Sequence, residues 1–158
     1  MSESYTIREG TLADAETIVR HRREMFFDMG TQDPAVLDEM ADSFRPWLAE
    51  KISKREYLSW FAIAEHSSVA AGAGLWLMNW PPGLYTVEPW RGNILNVYTE
   101  HGHRRRGLAR KLVTAATEWC AANGVPLVIL HASDQGRPLY EALGFQPTNE
   151  LRLFLKSQ

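Results

Sequence analysis

The fold is decided by residues 93–109, which read NILNVYTEHGHRRRGLA. Residues 93–100 are rich in apolar and β-branched side chains and predict a β-strand. Residues 104–123 carry an apolar stripe at helical spacing and predict an amphipathic helix that ends at Gly124. Residues 126–131 form a continuous apolar run, which is typical of a strand buried on both faces. A strand, a helix and a strand in this order imply parallel pairing through a right-handed crossover.

The sequence before this unit predicts one strand, two helices and a hairpin. Residues 5–8 predict a strand, and Thr11 with Asp14 predicts a capping box that opens a helix reaching about residue 29. Asp33 and Pro34 predict the start of a second helix, which reaches about residue 54 with a break before Pro46. Residues 57–65 and 69–79 predict an antiparallel hairpin.

Two glycines predict an irregularity within the hairpin, and a proline-rich segment predicts its end. Gly72 and Gly74 indicate a bulge or a close approach of the backbone. Residues 84–92, which follow two prolines and a glycine, predict an exposed loop.

The end of the chain predicts a short helix and further strands. The helix covers residues 136–143 and ends at Gly144, and strands are expected at Phe145 and over residues 151–156. The whole order predicts an α/β fold with a mixed sheet and helices on both faces.

The composition indicates one soluble domain. The chain has 158 residues, of which 45% are hydrophobic and 23% are charged, and its net charge is -2. This balance argues against a general nucleic-acid binder. The single cysteine excludes an internal disulfide, and we found neither a secretory leader nor an apolar run that could span a bilayer. We therefore expect a cytoplasmic protein that occupies residues 1–158 as a single domain.

The arginine-rich segment predicts an anion site. Residues 103–109 place three arginines and two small residues just before a predicted helix. The first N–H groups of a helix lack partners within the helix, and its dipole adds positive charge there. A phosphate-bearing ligand is therefore expected at this segment.

Two blocks of the sequence resemble the GNAT superfamily of N-acetyltransferases. Residues 96–99 followed by residues 104–109 are similar to the family's acetyl-CoA signature of Arg or Gln, two residues, Gly, one residue, then Gly or Ala. Residues 131–145, which end in an aromatic-acidic-x-x-Gly-Phe pattern, resemble its late block. The resemblance implies a mostly antiparallel sheet in which one parallel strand pair, residues 93–100 and 127–132, splays apart around acetyl-CoA.

The resemblance also implies a set of site residues. The backbone of residues 97–99 would pair with the pantetheine arm, and N–H groups of residues 104–110 would hold the pyrophosphate. Tyr140 lies where the family has a general-acid tyrosine that protonates the leaving thiolate. Ser133 stands where the family often has Asn, and Gly136 replaces the usual Ala. The implied cofactor-binding residues are Val97, Tyr98, Thr99, Arg104, Arg105, Arg106, Gly107, Leu108, Ala109, Arg110, Ser133 and Gly136.

The expected function is transfer of an acetyl group from acetyl-CoA to a primary amine by direct attack in a ternary complex. The alternative is a non-catalytic acyl-CoA-binding or sensing module with the same fold. The acceptor would be a small-molecule or peptide amine, and neither a nucleic acid nor a membrane is expected as a partner. Because dimers are common in the family, residues 151–155 are also a candidate for strand pairing in a homodimer.

Several side chains remain open to two interpretations. The general base is not assigned, and its candidates are Glu88, Glu100, His101 and His131. No metal is expected, although His101, His103 and His131 have a spacing that a metal would allow. Cys120 is expected to be a buried apolar residue and not a nucleophile. The aromatic residues expected either to pack the hairpin or to line an amine site are Trp76, Trp80, Trp90, Phe26 and Phe27.

Overall fold

The computed structural model describes residues 3–156 and contains one five-stranded sheet in the order β1-β2-β3-β4-β5. The strands are β1 (Tyr5–Glu9), β2 (Tyr57–Ala64), β3 (Val69–Asn79), β4 (Trp90–Thr99) and β5 (Val128–Leu130). β1 to β4 pair antiparallel, and β4 pairs with β5 in parallel. This mixed and mostly antiparallel sheet confirms the predicted fold class.

Four helices cover the two faces of the sheet: α1 (Ala15–Asp28), α2 (Pro34–Ser53), α3 (Leu108–Ala122) and α4 (Arg137–Ala142). On one face, Ile18 of α1 and Leu48 of α2 pack in a cluster with Phe61 of the sheet. On the other face, Leu112 of α3 packs in a second cluster with Leu75. Each amphipathic helix thus buries its apolar stripe against one side of the sheet. No helix among the described residues is long and apolar enough to cross a membrane.

Both predicted helix starts are confirmed. The Thr11 hydroxyl accepts a hydrogen bond from the Ala13 N–H, and the Asp14 carboxylate accepts one from the Thr11 N–H at 2.8 Å. This capping box closes a 3-10 turn, Leu12–Asp14, which leads directly into α1 at Ala15. Asp14 also accepts two hydrogen bonds from Arg8, at 2.8 and 2.9 Å, so this turn is tied to β1. At α2, the Asp33 carboxylate accepts from the Ala35 N–H and Pro34 lies in the first turn.

The predicted irregularity at Gly72 and Gly74 is a β-bulge in the neighbouring strand β4. Gly72 pairs with Tyr98 while Gly74 pairs with Leu95, so β4 has one extra residue in this interval. Asn96 lies in the bulge with a φ of 55°, a left-handed conformation that Asn tolerates better than most residues. A Cβ at position 74 would lie 2.0 Å from the Tyr57 hydroxyl, so glycine is required for this approach.

Three predicted boundaries near the middle of the chain are wrong. α2 runs through Pro46 without a break, because Phe44 and Leu48 on either side of it are buried against the sheet. β4 begins at Trp90 and not at residue 93, since it pairs with β3 as far as Asn79. α3 begins at Leu108 and not at residue 104.

The strands predicted at the end of the chain also differ from the structure. β5 has three residues and is only partly buried, since it lies at the edge of the described sheet with a single neighbour. Phe145 and residues 151–156 are not strands. An apolar, alternating sequence forms a strand only where a neighbouring strand supplies hydrogen bonds, and this segment has none within the described chain.

Candidate functional site

The parallel strands β4 and β5 separate after three residue pairs. Gly92, Asn93 and Ile94 pair with the three residues of β5, and β4 then continues to Thr99 with β3 on its other side. The bulge at Asn96 lies just beyond the last pair, where it increases the twist of β4. The backbone of residues 97–99 therefore lies beyond the part of β4 that pairs with β5.

Next to the gap between β4 and β5, residues 105–110 present a row of unpaired N–H groups, whereas the Arg104 N–H donates to the His101 carbonyl at 3.5 Å. Arg105 and Gly107 have φ values of 61° and 73°, so the chain turns through left-handed conformations before α3 begins. The N–H groups of residues 105–110 donate to no backbone carbonyl in residues 3–156. They lie at the positive end of a 15-residue helix, which is a geometry that favours a phosphate group.

The three consecutive arginines have different surroundings. Arg104 donates to the Thr99 carbonyl at 3.0 Å and forms an ion pair with Asp28. Arg106 forms an ion pair with Glu3 and donates to the Tyr5 hydroxyl at 2.7 Å. Arg105 is exposed, and neither it nor Arg110 has an ion-pair or hydrogen-bond partner among the described side chains. Two guanidinium groups, those of Arg105 and Arg110, are thus free to meet an anion.

Ser133, Gly136 and Tyr140 come together at the start of α4. The Ser133 hydroxyl accepts a hydrogen bond from the Gly136 N–H at 3.1 Å. A Cβ at position 136 would lie 3.1 Å from the Tyr140 ring and 3.2 Å from the Ser133 hydroxyl. Glycine therefore lets the tyrosine ring lie close to the backbone of this turn. Pro138 lies in the first turn of α4, where its missing N–H removes no hydrogen bond.

Tyr140 is a mostly buried phenol whose hydroxyl has no hydrogen-bond partner in the described chain. Its ring packs edge-on against Phe145, with 6.0 Å between centroids, and against the same core cluster as Val97. Burial raises the pKa of Tyr140, because the apolar surroundings disfavour the phenolate. The side chain therefore keeps its proton at neutral pH and has that proton available for donation.

The four candidate general bases have different surroundings. Burial would raise the pKa of Glu100, but its hydrogen bonds from Arg20 and His21 outweigh burial and lower it. His101 lies 3.3 Å from Asp28, and His131 lies 3.4 Å from Glu150. Glu88 lies in the exposed loop. None of the four is a buried and unpaired base.

Sequence reasoning missed a buried polar cluster around the bulge. Arg22 donates to the Asn96 side-chain oxygen at 2.8 Å, and the Asn96 amide donates to the Tyr57 hydroxyl at 2.9 Å. Beside them, the fully buried His21 lies 3.2 Å from a Glu100 oxygen that also accepts from Arg20 at 2.6 Å. These residues come from α1, β2, β4 and the residue that follows β4, which are distant in the sequence. The sequence therefore offered no local signal beyond the two glycines opposite the bulge.

The tryptophans do not form one aromatic wall. Trp76 packs edge-on against Trp47 of α2, with 5.2 Å between ring centroids, and belongs to the core. Trp80 and Trp90 are partly exposed, and the Arg91 guanidinium lies 3.9 Å from the Trp80 ring centroid. Phe26 contacts Arg22, whereas Phe27 is partly exposed. The packing interpretation therefore holds for Trp76, and the other rings lie in separate surroundings.

The structure also locates Cys120 and the histidines. Cys120 is buried in α3, and burial raises the pKa of its thiol to about 11, so it is a neutral thiol near pH 7. His101 and His103 lie in one short 3-10 turn. Residues 3–156 contain no group of three or more His, Cys, Asp or Glu side chains arranged to hold a metal ion.

Comparison with known proteins identifies the family. The model of the acetyltransferase (GNAT) family matches residues 16–145, and the chain belongs to this family. A GCN5-related N-acetyltransferase from Ralstonia eutropha is 34% identical, with a TM-score of 0.90 over 96% of this chain and 99% of that one. An acetyltransferase from Clostridium acetobutylicum, solved with acetyl-CoA, is 25% identical, with a TM-score of 0.86 over 96% and 97% of the two chains.

More distant structures share the fold alone. The glucosamine-6-phosphate N-acetyltransferase of Arabidopsis thaliana is 17% identical, with a TM-score of 0.66 over 98% of this chain and all of that one. No curated protein sequence matches the chain.

Proposed function

We propose that the chain, as one domain over residues 1–158, transfers the acetyl group of acetyl-CoA to a primary amine. The observation that carries this proposal is the row of unpaired N–H groups at residues 105–110, which lies beside the gap between β4 and β5. A phosphate-bearing donor with an extended arm fits such a pair of features. Membership in the GNAT family and the 25% identical relative solved with acetyl-CoA support the same donor.

The donor would be held mainly by backbone groups. The backbone of Val97, Tyr98 and Thr99 would pair with the pantetheine arm, and the N–H groups of residues 105–110 would bind the pyrophosphate, since the Arg104 N–H already donates to the His101 carbonyl. Arg105 and Arg110 are the guanidinium groups free to add charge-assisted hydrogen bonds, since Arg104 and Arg106 are held by Asp28 and Glu3. Ser133 and Gly136 would complete the site from the start of α4.

The chemistry would be a direct attack within a ternary complex. The neutral amine nitrogen attacks the thioester carbonyl carbon, and a backbone N–H of β4 stabilises the oxyanion. The C–S bond then breaks, and Tyr140 donates its proton to the departing thiolate. An ammonium acceptor would first lose a proton to water, or the amine would arrive already neutral, because no candidate base is buried and unpaired. The attacking nitrogen then loses one more proton to water as the amide forms, and water returns a proton to the Tyr140 phenolate.

A covalent acetyl-cysteine route is disfavoured by the state of Cys120. Its burial and its raised pKa keep the thiol protonated, whereas the thiolate is the reactive nucleophile.

The second candidate is an acyl-CoA-binding module without catalysis. The paired state of Glu100 and the exposed positions of the other candidate bases favour this alternative. Both candidates require CoA binding, so binding alone does not separate them.

Turnover with an amine panel tests the proposal. The protein is incubated with acetyl-CoA and a range of amino acids, polyamines, aminoglycosides and peptides, and free CoA is followed with a thiol reagent. We expect at least one amine to release CoA above the rate of spontaneous hydrolysis. CoA binding with no release for any amine would favour the binding module.

Replacement of Tyr140 tests the acid role. Tyr140→Phe should lower kcat about 100-fold, a typical contribution of a general acid, and leave the Kd for CoA nearly unchanged. Tyr85→Phe, which removes a hydroxyl from a fully exposed loop residue, serves as the matched control. Loss of CoA binding in Tyr140→Phe would contradict the assignment, because the hydroxyl would then be needed to hold the cofactor and not to protonate the thiolate.

A further inference from the structure

Arg22 of α1 is a half-buried cation with no carboxylate partner in the described part of the chain. Its neighbours on the same helix, Arg20 and Arg23, form ion pairs with Glu100 and Asp38. Burial lowers the pKa of Arg22, and no carboxylate lies near enough to offset this effect. Because a desolvated charge without a counter-ion is costly, this position favours the binding of an anion that the described chain does not supply.

The hydrogen bonds of Arg22 leave one edge of its guanidinium group free. Nη1 donates to the Asn96 side-chain oxygen at 2.8 Å. Nε is buried and has no partner, and Nη2 donates to no group among residues 3–156. Nε and Nη2 form the side-on edge of a guanidinium group, whose two parallel N–H groups match the two oxygens of a carboxylate.

Two aromatic rings hold this guanidinium group in place. The Arg22 Cζ atom lies 4.9 Å from the centroid of the Phe26 ring and 4.8 Å from the centroid of the Phe44 ring. These contacts and the hydrogen bond to Asn96 restrict the side chain before any ligand binds. A donor that is already oriented loses little conformational entropy when it binds its acceptor.

The position of Arg22 relative to the proposed donor site indicates which ligand it meets. The pyrophosphate loop leads into α3, and Tyr140 packs in the core cluster on the α3 face of the sheet. Arg22 belongs to α1, which packs in the cluster on the opposite face. Its partner Asn96 directly precedes Val97, whose backbone would pair with the pantetheine arm. With the donor on the α3 face, the face left open to the amine is the one where Arg22 lies.

We propose that Arg22 binds a carboxylate of the acceptor, so that the acceptor is an amine that also carries a carboxylate, as an amino acid does. This inference rests on the proposed acetyl transfer and names the substrate class for it. A single guanidinium group matches a single negative charge, whereas a phosphate group carries nearly two. An acceptor without the carboxylate would leave the guanidinium group unpaired, which makes such a contact a strong source of discrimination.

Paired acceptors test this inference in the intact wild-type protein. Each common amino acid is assayed with acetyl-CoA beside its own carboxamide, which has the same amine but no negative charge. We expect at least one amino acid to exceed its carboxamide about tenfold or more in kcat/KM, mainly through KM, as the loss of a hydrogen bond to a charged group predicts.

The same assay separates the failure of this inference from the failure of the proposed function. Carboxamides or polyamines that react as well as every amino acid would overturn the inference and leave the acetyl transfer standing. Release of CoA with no amine at all would overturn both.

Substitution of Arg22 assigns the preference to this side chain. Arg22→Gln should bring the kcat/KM values of the amino acid and its carboxamide to within about twofold of each other, mainly by lowering the value for the amino acid. Arg22→Lys keeps the charge but not the side-on edge, so its preference should be intermediate. Arg23→Gln is the matched control, since it removes the next guanidinium group, which forms an ion pair with Asp38, and should keep the wild-type preference.

Two results with the variants would overturn the inference. One is an unchanged preference in Arg22→Gln or, if that variant does not fold, in Arg22→Lys. The other is an equal loss of kcat/KM for the amino acid and its carboxamide, because a side chain that only supports the fold would affect both acceptors alike.

Discussion

Acidification should destabilise the protein through His21, a buried imidazole next to the bulge. His21 is 1% exposed, and its pKa is lowered from 6.5 to about 4, first because burial disfavours the charged ring and second because Arg20 lies nearby. Its Nε2 lies 3.2 Å from Glu100 Oε1, and a carboxylate can only accept, so Nε2 carries the proton of the neutral ring. The Nδ1 atom lies near Gly72 and forms no hydrogen bond within residues 3–156, so a second proton there would gain no partner from the described chain.

The magnitude follows from the two pKa values. Because the pKa of His21 is lower in the folded state than in the unfolded state, the unfolded protein binds more protons in the range between the two values. The free energy of unfolding therefore falls as the pH drops below about 6.5 and levels off below about 4. With unfolded and folded values of 6.5 and about 4, the loss between pH 7.5 and pH 5 is about 2 kcal/mol. The carboxylates with lowered pKa values, such as Glu100 and Asp14, contribute their own losses at lower pH.

Urea unfolding of the wild type and of His21→Gln at both pH values isolates the contribution of His21. Gln keeps an N–H that can donate to Glu100 but does not titrate. The stability difference between the two proteins should therefore shrink by about 2 kcal/mol on going from pH 7.5 to pH 5. His66→Asn is the control, since it removes an exposed imidazole from a left-handed turn that Asn tolerates. An NMR titration of the wild type in which the His21 ring protonates at pH 6.5 or above would refute the reasoning, even if the variant does not fold.

Three further predictions concern the arginine loop and the helix caps. Arg105→Gln should weaken CoA binding about tenfold in calorimetry, because it removes a free guanidinium group. Arg106→Gln should change the affinity less than about twofold, because that side chain forms an ion pair with Glu3. Equal losses in the two variants would contradict the assignment. Gly107→Ala should lower the free energy of unfolding by about 1–2 kcal/mol, since φ is 73° at this position. Gly102→Ala is the control, because Gly102 also has open space around it, and should lower it by less than about 0.5 kcal/mol. A similar loss at both positions would show that the left-handed conformation is not the cause. Asp14→Asn should cost about 1–3 kcal/mol in thermal or urea unfolding, because it weakens the hydrogen bonds from Arg8 and Thr11, and a neutral effect would mean that this cap does not stabilise the junction of β1 and α1.

The predictions agree best with the structure where contacts between neighbouring residues determine the backbone conformation. The capping box at Thr11 and Asp14 and the start of α2 at Asp33 and Pro34 follow from contacts among residues a few positions apart. The terminating glycines Gly124 and Gly144 have φ values of 72° and 96°, as their places after helices predict. The irregularity at Gly72 and Gly74 was also predictable, because a bulge depends on the steric limits of single residues.

The arginine segment, residues 103–109, shows both what the sequence predicts and what only the folded structure reveals. From the residues alone, this segment predicted an anion site next to a helix. The family resemblance then identified residues 104–109 as one part of the acetyl-CoA signature. The start of the helix was placed four residues too early, because arginine is a good helix former and nothing local announced the left-handed turns at Arg105 and Gly107. The free and the paired arginines could not be told apart, since Glu3 and Asp28 lie far from them in the sequence.

By itself, then, the sequence predicted the family, the order of the elements from β1 to α4 and the residue types available for acid catalysis, and it led to the proposal that residues 104–110 hold the donor. Tertiary structure alone decided that Arg22, Asn96 and Tyr57 meet at the bulge and that His21 is buried against Glu100. It also decided that residues 151–155 pair with no strand among residues 3–156. The physical reason is the separation along the sequence of the residues that make each contact. Caps, turns and helix ends depend on contacts between near neighbours, whereas ion pairs, buried titrating groups and strand pairing depend on which distant segments the folded sheet brings together.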